Sequence, residues 1–425
     1  MDFQRRDFLS FIKNAALLGA SAPVLPWLMP RALGATPGAA VPTKSGLPDR
    51  SAEFVFPAGY SYFNYGGLGP SPEAVRTAIQ NAVHDIDASG NLPTEEPLRA
   101  RMGRFLSVAP ETLAFTQNTT QSVQIAARSL PLNAGDTIVL TAHEHAGNAV
   151  PWLELAAEKK LGIRTLAMDD DSVLCEKAEA LFKAGARVLA VPHVTCTTGR
   201  VLPIEALCQI AKKYGAWTVI DGAQAVGQLP VSPAAIGADI YCGCFHKWML
   251  GPKTLGFIYF GETRAAELLP VSAGAHSPVL WDLAPTRGSL SFTETTARRF
   301  SSGTQPAPLY AGAVAAIDWI DAIGIEKVRT RVLELNGMLL TGLASVPALT
   351  VLSPQSGFAR TGMITFRSDS VNLTTLQAHA LQAGFRTRFV AEAGLNALRV
   401  SLHVPTQDSE VSRFVEFVKA FVGGA

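Results

Sequence analysis

Lys247 is the residue of this sequence that most clearly invites chemistry. It lies in the stretch DIYCGCFHKWMLGPKTLGFIYF, residues 239–260, where it follows an apolar run and His246 and precedes a Gly-Pro turn and a second apolar run. A lysine between two buried strands is partly desolvated, which lowers the pKa of its ammonium group and makes the neutral amine a usable nucleophile and base. The pattern therefore favours a reactive lysine over a solvated one at a loop edge.

Asp221 ends an earlier apolar run, WTVI. On its own, an aspartate in such a place is equally well explained as a helix cap. Together with the lysine it indicates pyridoxal 5'-phosphate (PLP), which forms a Schiff base with a lysine and needs an acid beside its pyridinium nitrogen. A buried carboxylate stabilises the proton on that nitrogen by opposite charge. The pair predicts PLP as the cofactor, with Lys247 and Asp221 as catalytic residues.

Polar residues also follow the other short apolar runs. Thr119 and Thr120 begin a predicted helix, and the free N–H groups and positive end of a helix favour an anion such as the cofactor phosphate. His145 offers an aromatic plane that stacks on a cofactor ring, and His246 offers a donor to the phosphate. These groups stand at the following predicted strand ends: Asn118-Thr119-Thr120, His143-Glu144-His145, His193 to Cys196, Asp221-Gly222-Ala223-Gln224 and His246-Lys247.

The elements that must position these groups alternate along the chain. From about residue 111, short apolar strands (LAFTQ, DTIVLTA, ARVLAVPHVT, AWTVID) are followed by helical stretches at about 119–128, 149–160 and 203–213. Continuous apolar strands between helices predict a parallel sheet covered on both faces, and ligands bind at the carboxyl ends of such strands. The fold class is therefore α/β, with a large domain built on a mostly parallel central sheet.

The remaining segments suggest four parts. Residues 1–40 read as a signal peptide, 41–110 as an N-terminal arm with helices, 111–305 as the large PLP-binding domain, and 306–425 as connecting helices and a small C-terminal α+β domain. The connecting helices are expected at about 307–322 and 324–345. No internal repeat or membrane-spanning stretch is evident in the sequence.

Composition excludes several other classes of protein. The chain has 425 residues, of which 48% are hydrophobic and 17% are charged, and its formal net charge is +1. This composition supports a large core and gives no basic stripe for nucleic acid. Five scattered cysteines do not form a disulfide framework. Cys242 and Cys244 are better explained as buried strand thiols than as metal ligands, so no metal is expected.

The N-terminus carries the features of an export signal. Arg5-Arg6 in QRRDFLSF, an apolar stretch, and small residues near 34–40 stand in the order of a twin-arginine signal with its cleavage region. A cytosolic amphipathic tail with a chance arginine pair is the alternative. Twin-arginine export carries folded proteins across the membrane, which suits a cofactor inserted in the cytoplasm. We expect the protein to engage the twin-arginine translocon and to reside in the periplasm.

Four motifs together resemble the class V aminotransferase family of fold-type I PLP enzymes, which includes cysteine desulfurases and isopenicillin N epimerase-like proteins. They are HEHAGNAVPW, VIDGAQAVGQLP, CFHKWMLGPKTLGFIY and RRFSSGTQP, and the likeness runs from about residue 60 to the C-terminus. The resemblance implies a homodimer. It also implies that Lys247 attaches PLP, that Asp221 contacts the pyridine nitrogen, that Gln224 contacts the ring hydroxyl and that His145 stacks on the ring. By the same resemblance Thr120 and His246 hold the phosphate, Gly303-Thr304 reaches the phosphate of the other subunit, and Arg399 binds the substrate α-carboxylate. The resemblance also makes Arg386 a second active-site arginine.

Two departures from the family pattern bear on function. Desulfurases carry a nucleophilic cysteine shortly after the position of Arg386, whereas this chain has RTRFVAEAG there, and Cys196 replaces their strand-end asparagine. Sulfur abstraction is therefore disfavoured. An export signal joined to this family is similar to the exported PLP enzymes of pyoverdine maturation, which implies a siderophore-borne glutamate, modified towards succinamide, as the small-molecule substrate.

Alternatives remain at this stage. The protein could be a periplasmic aminotransferase, epimerase or C–S lyase for another amino acid, or a PLP-fold relic that only binds, although relics tend to lose the lysine. A chromophore-bearing substrate needs a wide mouth to the site. Apolar and aromatic residues that could form such a mouth are Phe63, Tyr65, Trp281 and Phe389, for each of which ordinary packing is the competing explanation.

Overall fold

A computed structural model describes residues 46–284, 287–294 and 296–423. The predicted signal peptide, including Arg5-Arg6 and the cleavage region, lies outside the described residues. The strands are β1 Ser61–Tyr62, β2 Leu113–Thr116, β3 Thr137–Thr141, β4 Gly162–Leu166, β5 Val188–Pro192, β6 Trp217–Asp221, β7 Ile240–Cys244, β8 Gly256–Phe260, β9 Val279–Ala284, β10 Arg287–Phe292, β11 Thr350–Val351, β12 Met363–Arg367, β13 Phe385–Arg386, β14 Arg388–Val390 and β15 Ala397–Ser401.

The helices confirm the predicted alternation with strands, with small shifts at their ends. They are α1 Glu73–Ser89, α2 Glu96–Leu106, α3 Thr119–Ser129, α4 Ala146–Lys159, α5 Asp171–Lys183, α6 Ile204–Lys213, α7 Pro233–Ile236, α8 Ala307–Ile323, α9 Ile325–Ala344, α10 Leu373–Gln382 and α11 Asp408–Gly423. Helix α3 begins where Asn118 caps it, because the Asn118 side chain accepts a hydrogen bond from the backbone N–H of Gln121 at 3.0 Å.

A seven-stranded sheet forms the centre of the large domain, in the order β2-β8-β7-β6-β5-β3-β4. The pairs β3-β4, β3-β5, β5-β6 and β6-β7 are parallel, and β8 runs antiparallel to both of its neighbours. The prediction of a mostly parallel central sheet is therefore confirmed. Because parallel strands end at the same edge, the residues that follow β3, β5, β6 and β7 gather there.

Each central strand is buried on both faces, which explains its continuous apolar sequence. In β5, Leu189 and Val191 pack into one core cluster, while Val188 and Ala190 pack into a second cluster on the other face of the sheet. Cys242 and Cys244 lie fully or almost fully buried on β7, and all five cysteines are free thiols. The interpretation of these two residues as buried strand thiols is thus confirmed.

A smaller α+β unit follows the connecting helices, as the sequence predicted. Its antiparallel sheet has the order β11-β12-β15-β14, and α9, α10 and α11 pack against it. A short parallel pair between β1 and β13 joins the N-terminal segment to this unit. Arg399 of β15 donates a hydrogen bond to the Cys196 carbonyl, which follows β5 at the carboxyl edge of the large sheet. The small unit therefore contacts this edge.

Among the described residues, no single helix is long and apolar enough to cross a membrane. Only α8 and α9 taken together pass such a test, and they are bent by 76° at the break between them. Helix α8 packs against α1 and α2 and contributes buried residues such as Ile317 and Ile320 to the large core.

Gly243, in the middle of β7, tests how tightly the sheet packs beneath the site. A Cβ at this position would lie 2.3 Å from Cζ of Phe257, a fully buried ring that also contacts Phe245 edge-on. We expect Gly243→Ala to lower the free energy of unfolding by about 1–3 kcal/mol, as overpacking does. Urea and thermal unfolding of the holoenzyme measure the loss.

Gly288→Ala is the matched control for Gly243→Ala, because Gly288 also lies in a strand but its Cβ would meet nothing closer than 3.7 Å. Its effect should stay within about 0.5 kcal/mol. Equal losses in the two variants would contradict the tight packing described for β7.

Candidate active site

Lys247 lies just beyond the carboxyl end of β7, in the turn that returns the chain to β8. Its backbone is held closely from one side: Gly69 N–H donates to the His246 carbonyl at 2.6 Å, and a Cβ at Gly69 would lie only 2.1 Å from the Lys247 carbonyl oxygen. Within the turn, Gly251 N–H donates to the Phe245 carbonyl at 2.8 Å. The backbone is thus fixed, and the lysine side chain lines a cavity at the sheet edge.

This cavity has a volume of about 210 Å³ and collects most of the residues that the sequence singled out. The predicted residues that line it are Thr119, Thr120, His145, Asp221, Gln224, His246, Lys247 and Arg399. Arg386, Gly303 and Thr304 do not line it. Asn118 and Ala223, noted in the sequence only as strand-end residues, line it too, and the residues that the sequence reasoning missed are Gly66, Gly67, Gly147 and Arg388.

Asp221 is the buried carboxylate of the site. Only 7% of it is exposed, and its Oδ1 accepts a hydrogen bond from Ala223 N–H at 2.9 Å. Burial raises the pKa of Asp221, while the charge of Lys247 and the hydrogen bond from Ala223 oppose that rise. Among the residues that the structure describes, Oδ2 has no hydrogen-bond partner, so it is available to the ring nitrogen of a pyridine.

Other groups of the same cavity suit a phosphate. Helix α3 begins there at Thr119, with its first N–H groups at the cavity. His246 Nδ1 is buried and has no hydrogen-bond partner in the described part of the chain. At Gly147 a Cβ would come within 2.6 Å of Thr120 Oγ1, so only glycine keeps this wall open. The residues present therefore fit PLP, because one cavity holds both a carboxylate for the ring nitrogen and groups that bind an anion.

His145 is held as a neutral ring. Its Nδ1 accepts a hydrogen bond from Gly147 N–H at 3.0 Å as the N-cap of α4, which places the ring proton on Nε2. Burial, together with the charges of Lys247 and Arg388, lowers the pKa of His145 to about 4. A neutral, oriented imidazole is well suited to lie against an aromatic cofactor; the stacking role itself stays a prediction.

A row of side-chain contacts supports Gln224. Its Nε2 donates to the Gly66 carbonyl at 2.7 Å, and its Oε1 accepts from Trp248 Nε1 at 2.8 Å. His403, which is fully buried, donates in turn from Nε2 to the Trp248 carbonyl at 2.8 Å. These bonds fix the amide in one orientation at the cavity wall. The assignment of Gln224 to the ring hydroxyl stays a prediction.

A second buried histidine, His193, supports the backbone next to Asp221 through its contact with Tyr241. His193 Nδ1 lies 2.9 Å from the Tyr241 hydroxyl, and the Tyr241 ring packs so closely on Gly222 that a Cβ there would lie 2.0 Å from Cε1. Burial lowers the pKa of His193, like that of His403, to about 4. Gly222 directly follows Asp221, so this contact fixes the backbone that carries the carboxylate.

Two arginines enter the cavity from the small unit. Arg399 is 1% exposed, its Nη1 donates to the Cys196 carbonyl at 2.5 Å, and burial, with a further contribution from Arg388, lowers its pKa to about 9. Arg388 is half-buried, lines the same cavity and pairs with Glu392. Cys196 itself is buried, and burial raises the pKa of its thiol to about 11, so it is a neutral thiol.

Arg386 does not line this cavity, and its assignment as a second active-site arginine stays a prediction. Arg386 ends β13, which pairs in parallel with β1, and its side chain is exposed away from the cavity. Thr387 separates β13 from β14, and the chain changes pairing partner there, so that Arg388 pairs with β15 and faces the site instead. The repeated Arg-Thr-Arg sequence offered both residues, and only the change of partner strand distinguishes them.

Gly303 and Thr304 line a different cavity, of about 430 Å³, together with Gln117, Gln121 and Tyr310. Thr304 is exposed. The expectation that this loop reaches the phosphate of another subunit stays a prediction.

Two of the four aromatic residues expected at the mouth of the site lie elsewhere. Phe63 is fully buried in the core of the small unit, and Tyr65, 1% exposed, packs edge-on against His403 in the large core. For these two residues ordinary packing is the correct explanation. Trp281 is 67% exposed on the β9-β10 hairpin, and Phe389 is half-buried next to Arg388.

A second lysine, Lys253, lies in the same turn but outside the cavity. Its Nζ donates to the Gly69 carbonyl at 2.6 Å, to Ser71 Oγ at 2.8 Å and to the Gly251 carbonyl at 3.2 Å. Burial, followed by the charge of Arg76, lowers its pKa to about 8. Two of these bonds tie the turn to the N-terminal segment and the third lies within the turn, so Lys253 has a structural role.

Solved structures share this architecture. The structure of a cysteine desulfurase from Thermococcus onnurineus NA1 superposes with a TM-score of 0.79 and 25% identity, covering 86% of this chain and 95% of that one. A cystine C-S lyase is similar in fold, with a TM-score of 0.77 and 23% identity over 85% of this chain and 98% of its own, and a variant of this lyase has glycine covalently linked to its PLP cofactor. The fold and the site together define a fold-type I PLP-dependent enzyme.

The sequence comparisons identify the family. The Aminotransferase class-V family matches residues 75–414. Isopenicillin N epimerase of Amycolatopsis lactamdurans is 30% identical over 374 residues, which cover 84% of this chain and 94% of that protein. Cysteine desulfurase of Escherichia coli (strain K12 / DH10B) is 31% identical over 295 residues, 68% of this chain and 70% of that protein. The chain belongs to the class V aminotransferase family, and PLP is its cofactor.

The buried histidines generate a prediction for pH. His193 and His403 have pKa values lowered to about 4 in the folded protein, so they bind protons more weakly than in the unfolded chain. The stability that they contribute is complete above the unfolded pKa of about 6.5 and is lost as the pH falls towards 4. Each should remove about 2 kcal/mol of the unfolding free energy between pH 7 and pH 5.

His403→Gln isolates this effect, since glutamine keeps a donor and does not titrate. Unfolding by urea at several pH values should show a shallower loss on acidification for His403→Gln than for the wild type. The exposed His84, changed to glutamine, is the control and should leave the slope unchanged. An identical slope in the wild type and His403→Gln would contradict the neutral buried state of His403.

Proposed function

We propose that this protein is a periplasmic PLP-dependent enzyme of siderophore maturation, which modifies a chromophore-linked glutamate of a pyoverdine precursor towards succinamide. The observation that carries the proposal is the combination, in one sequence, of an intact PLP site around Lys247 and Asp221 with the features of a twin-arginine export signal in residues 1–40. A cofactor that is inserted in the cytoplasm and exported within a folded protein accounts for both.

The chemistry of the substrate suits the groups that line the cavity. A glutamate attached through its side-chain carboxyl group keeps a free α-amino and a free α-carboxylate group. The cavity offers Lys247 for an amine-bearing substrate and the buried Arg399 for a carboxylate, and Arg399 Nε has no hydrogen-bond partner among the described residues. A guanidinium binds a carboxylate through paired hydrogen bonds, which orients the α-carbon over the cofactor.

When bound, PLP supplies an electron sink for the electron pair released at the substrate α-carbon. The residues of this chain prepare that step. With PLP in the cavity, the carboxylate of Asp221 would support the proton on the ring nitrogen, His145 would lie neutral against the ring, and Lys247 would exchange a proton with the α-carbon. The first turn of α3 and His246 would hold the phosphate.

The atoms and electrons of the proposed conversion balance with dioxygen as the oxidant. Turning the α-carbon of the glutamyl unit into a primary amide removes the α-carboxyl group as carbon dioxide, keeps the α-nitrogen and adds one oxygen atom. Dioxygen is the oxidant of the required class, since one molecule supplies that oxygen atom and forms one molecule of water. Arg399 then binds the group that leaves as carbon dioxide.

The size of the cavity supports a substrate whose bulk stays outside it. The cofactor itself takes up much of the cavity of about 210 Å³, which leaves no room for an aromatic chromophore with its peptide, so these must lie at the mouth. Phe389 does not offer a ring there, because it packs against the core of the small unit. Binding energy from the chromophore then positions the α-carbon, an advantage that free glutamate lacks.

A homodimer forms part of the proposal. Thr304 is exposed and lines a cavity other than its own Lys247 site, as expected for a loop that serves a second subunit. The β9-β10 hairpin also exposes Leu280, Trp281, Leu283 and Leu290. Exposed apolar side chains in such number are typical of a protein contact surface.

The relationship to isopenicillin N epimerase supports a second candidate function, a periplasmic epimerase, aminotransferase or C–S lyase for another amino acid. Epimerisation inverts the α-carbon without changing mass. The mass of the product therefore separates this alternative from the conversion to succinamide.

The experiment compares two substrates with the purified holoenzyme in the presence of dioxygen. We expect the pyoverdine precursor with a glutamyl side chain to be converted to the succinamide form, with oxygen uptake, while free L-glutamate is left almost unchanged. Mass spectrometry of the siderophore and an oxygen electrode provide the readouts. Equal turnover of free glutamate, or an unchanged siderophore side chain, would refute the siderophore assignment.

A further inference from the structure

Arg388 and Arg399 are direct neighbours across two antiparallel strands. Residue 388 of β14 pairs with residue 399 of β15, and both side chains line the cavity of Lys247. Like charges placed directly opposite each other on a sheet destabilise it unless an anion lies between or beside them. A negatively charged group is therefore needed beside the two arginines.

Glu392 supplies it in this structure. The Arg388 guanidinium donates from Nη2 to Glu392 Oε1, and both side chains are about three-quarters buried. Burial raises the pKa of Glu392, but the charge of Arg388, a backbone hydrogen bond, the hydrogen bond from Arg388 and the charge of His145 together hold it below its usual range, so the carboxylate is charged. One carboxylate thus faces two guanidinium groups. Arg388 Nη1 and Arg399 Nε are buried and without a hydrogen-bond partner in the described ranges.

The backbone that carries Glu392 is strained. After the short turn Glu392–Gly394 begins, Ala393 has a φ of +55° and Asn396 a φ of +45°, in the left-handed region that side chains other than glycine rarely adopt. Such conformations cost of order 1–3 kcal/mol each and occur where the surrounding structure holds them in place. A turn held partly by one ion pair is able to relax when that ion pair is exchanged.

We propose that Glu392 is the resident counter-ion of Arg388 in the free enzyme, and that the carboxylate of the substrate displaces it, so that Arg388 joins Arg399 in binding that carboxylate. This inference rests on the proposed function only in that the substrate carries a free α-carboxylate. Glu392 then competes with the substrate carboxylate for Arg388. It balances the charge of the two arginines while the site is empty, and a neutral ligand does not displace it.

The competition predicts the direction in which the affinity for a carboxylate changes when Glu392 is neutralised. If Glu392 must leave before a carboxylate binds, neutralising it increases the fraction of enzyme that is ready to bind, and the apparent affinity rises by the same factor. A residue that only held Arg388 in position for the substrate would have the opposite effect, since its loss would weaken binding.

The test uses isothermal titration of the holoenzyme with 3-phenylpropionate and with its uncharged counterpart, 3-phenylpropionamide. Neither probe has an amino group, so neither reacts with the cofactor. We expect Glu392→Gln to lower the dissociation constant of 3-phenylpropionate about tenfold and to leave that of the amide unchanged. Glu267→Gln, which breaks the surface ion pair with Arg264, is the matched control and should change neither value.

Arg388→Gln should weaken binding of 3-phenylpropionate about tenfold, and in the double variant the gain from Glu392→Gln should vanish, as the coupling of the two residues requires. Weaker or unchanged carboxylate binding in Glu392→Gln overturns the proposal. Should that variant fail to retain PLP, Arg388→Gln decides alone, because unchanged carboxylate affinity there also overturns it. The probes contain no glutamate or chromophore, so failure of the siderophore assay leaves this result intact.

Discussion

The electrostatic coupling between the buried Asp221 and the half-buried Lys247 is the constraint on which the rest of the structure depends. Burial raises the pKa of the Asp221 carboxyl, and the charge of Lys247, in the turn that follows the neighbouring strand, opposes that rise. Strands β6 and β7 are joined in parallel register, with Asp221 opposite Cys242, and Gly222 N–H donates to the Cys242 carbonyl at 2.7 Å. Both charges therefore reach the same edge of the sheet, where the interior is dry and an opposite charge has its largest effect.

Holding two charges at that edge requires support on every side. Tyr241 and His193 pack beneath Gly222, Gln224 is fixed by Trp248, and Gly69 presses against the turn that carries Lys247. The contacts come from the N-terminal segment, the large sheet and the small unit. The site thus forms only when these parts of the chain are assembled, which explains why glycines at close approaches recur around it.

Much of this could be predicted from the sequence because it depends on local patterns. Continuous apolar strands, each followed by polar residues, define a parallel sheet and its functional edge, and this pattern places Lys247, Asp221 and His145 at that edge, whereas the role of His145 comes from the family resemblance. Arg388 could not be distinguished from Arg386, since the choice depends on a change of partner strand at Thr387. Phe63 and Tyr65 were misplaced for a related reason: their burial comes from the small unit and from His403, far away in sequence.

The central claim is that Lys247, rather than the nearby Lys253, bears the cofactor. Both lysines lie in one turn, and the pKa of Lys253 is lowered to about 8, yet its Nζ is engaged in three hydrogen bonds outside the cavity. Borohydride reduction of the holoenzyme, followed by digestion and tandem mass spectrometry, locates the attached group. The account predicts that Lys247 alone carries the reduced pyridoxyl group. A pyridoxyl group on Lys253, or on neither lysine, would contradict it.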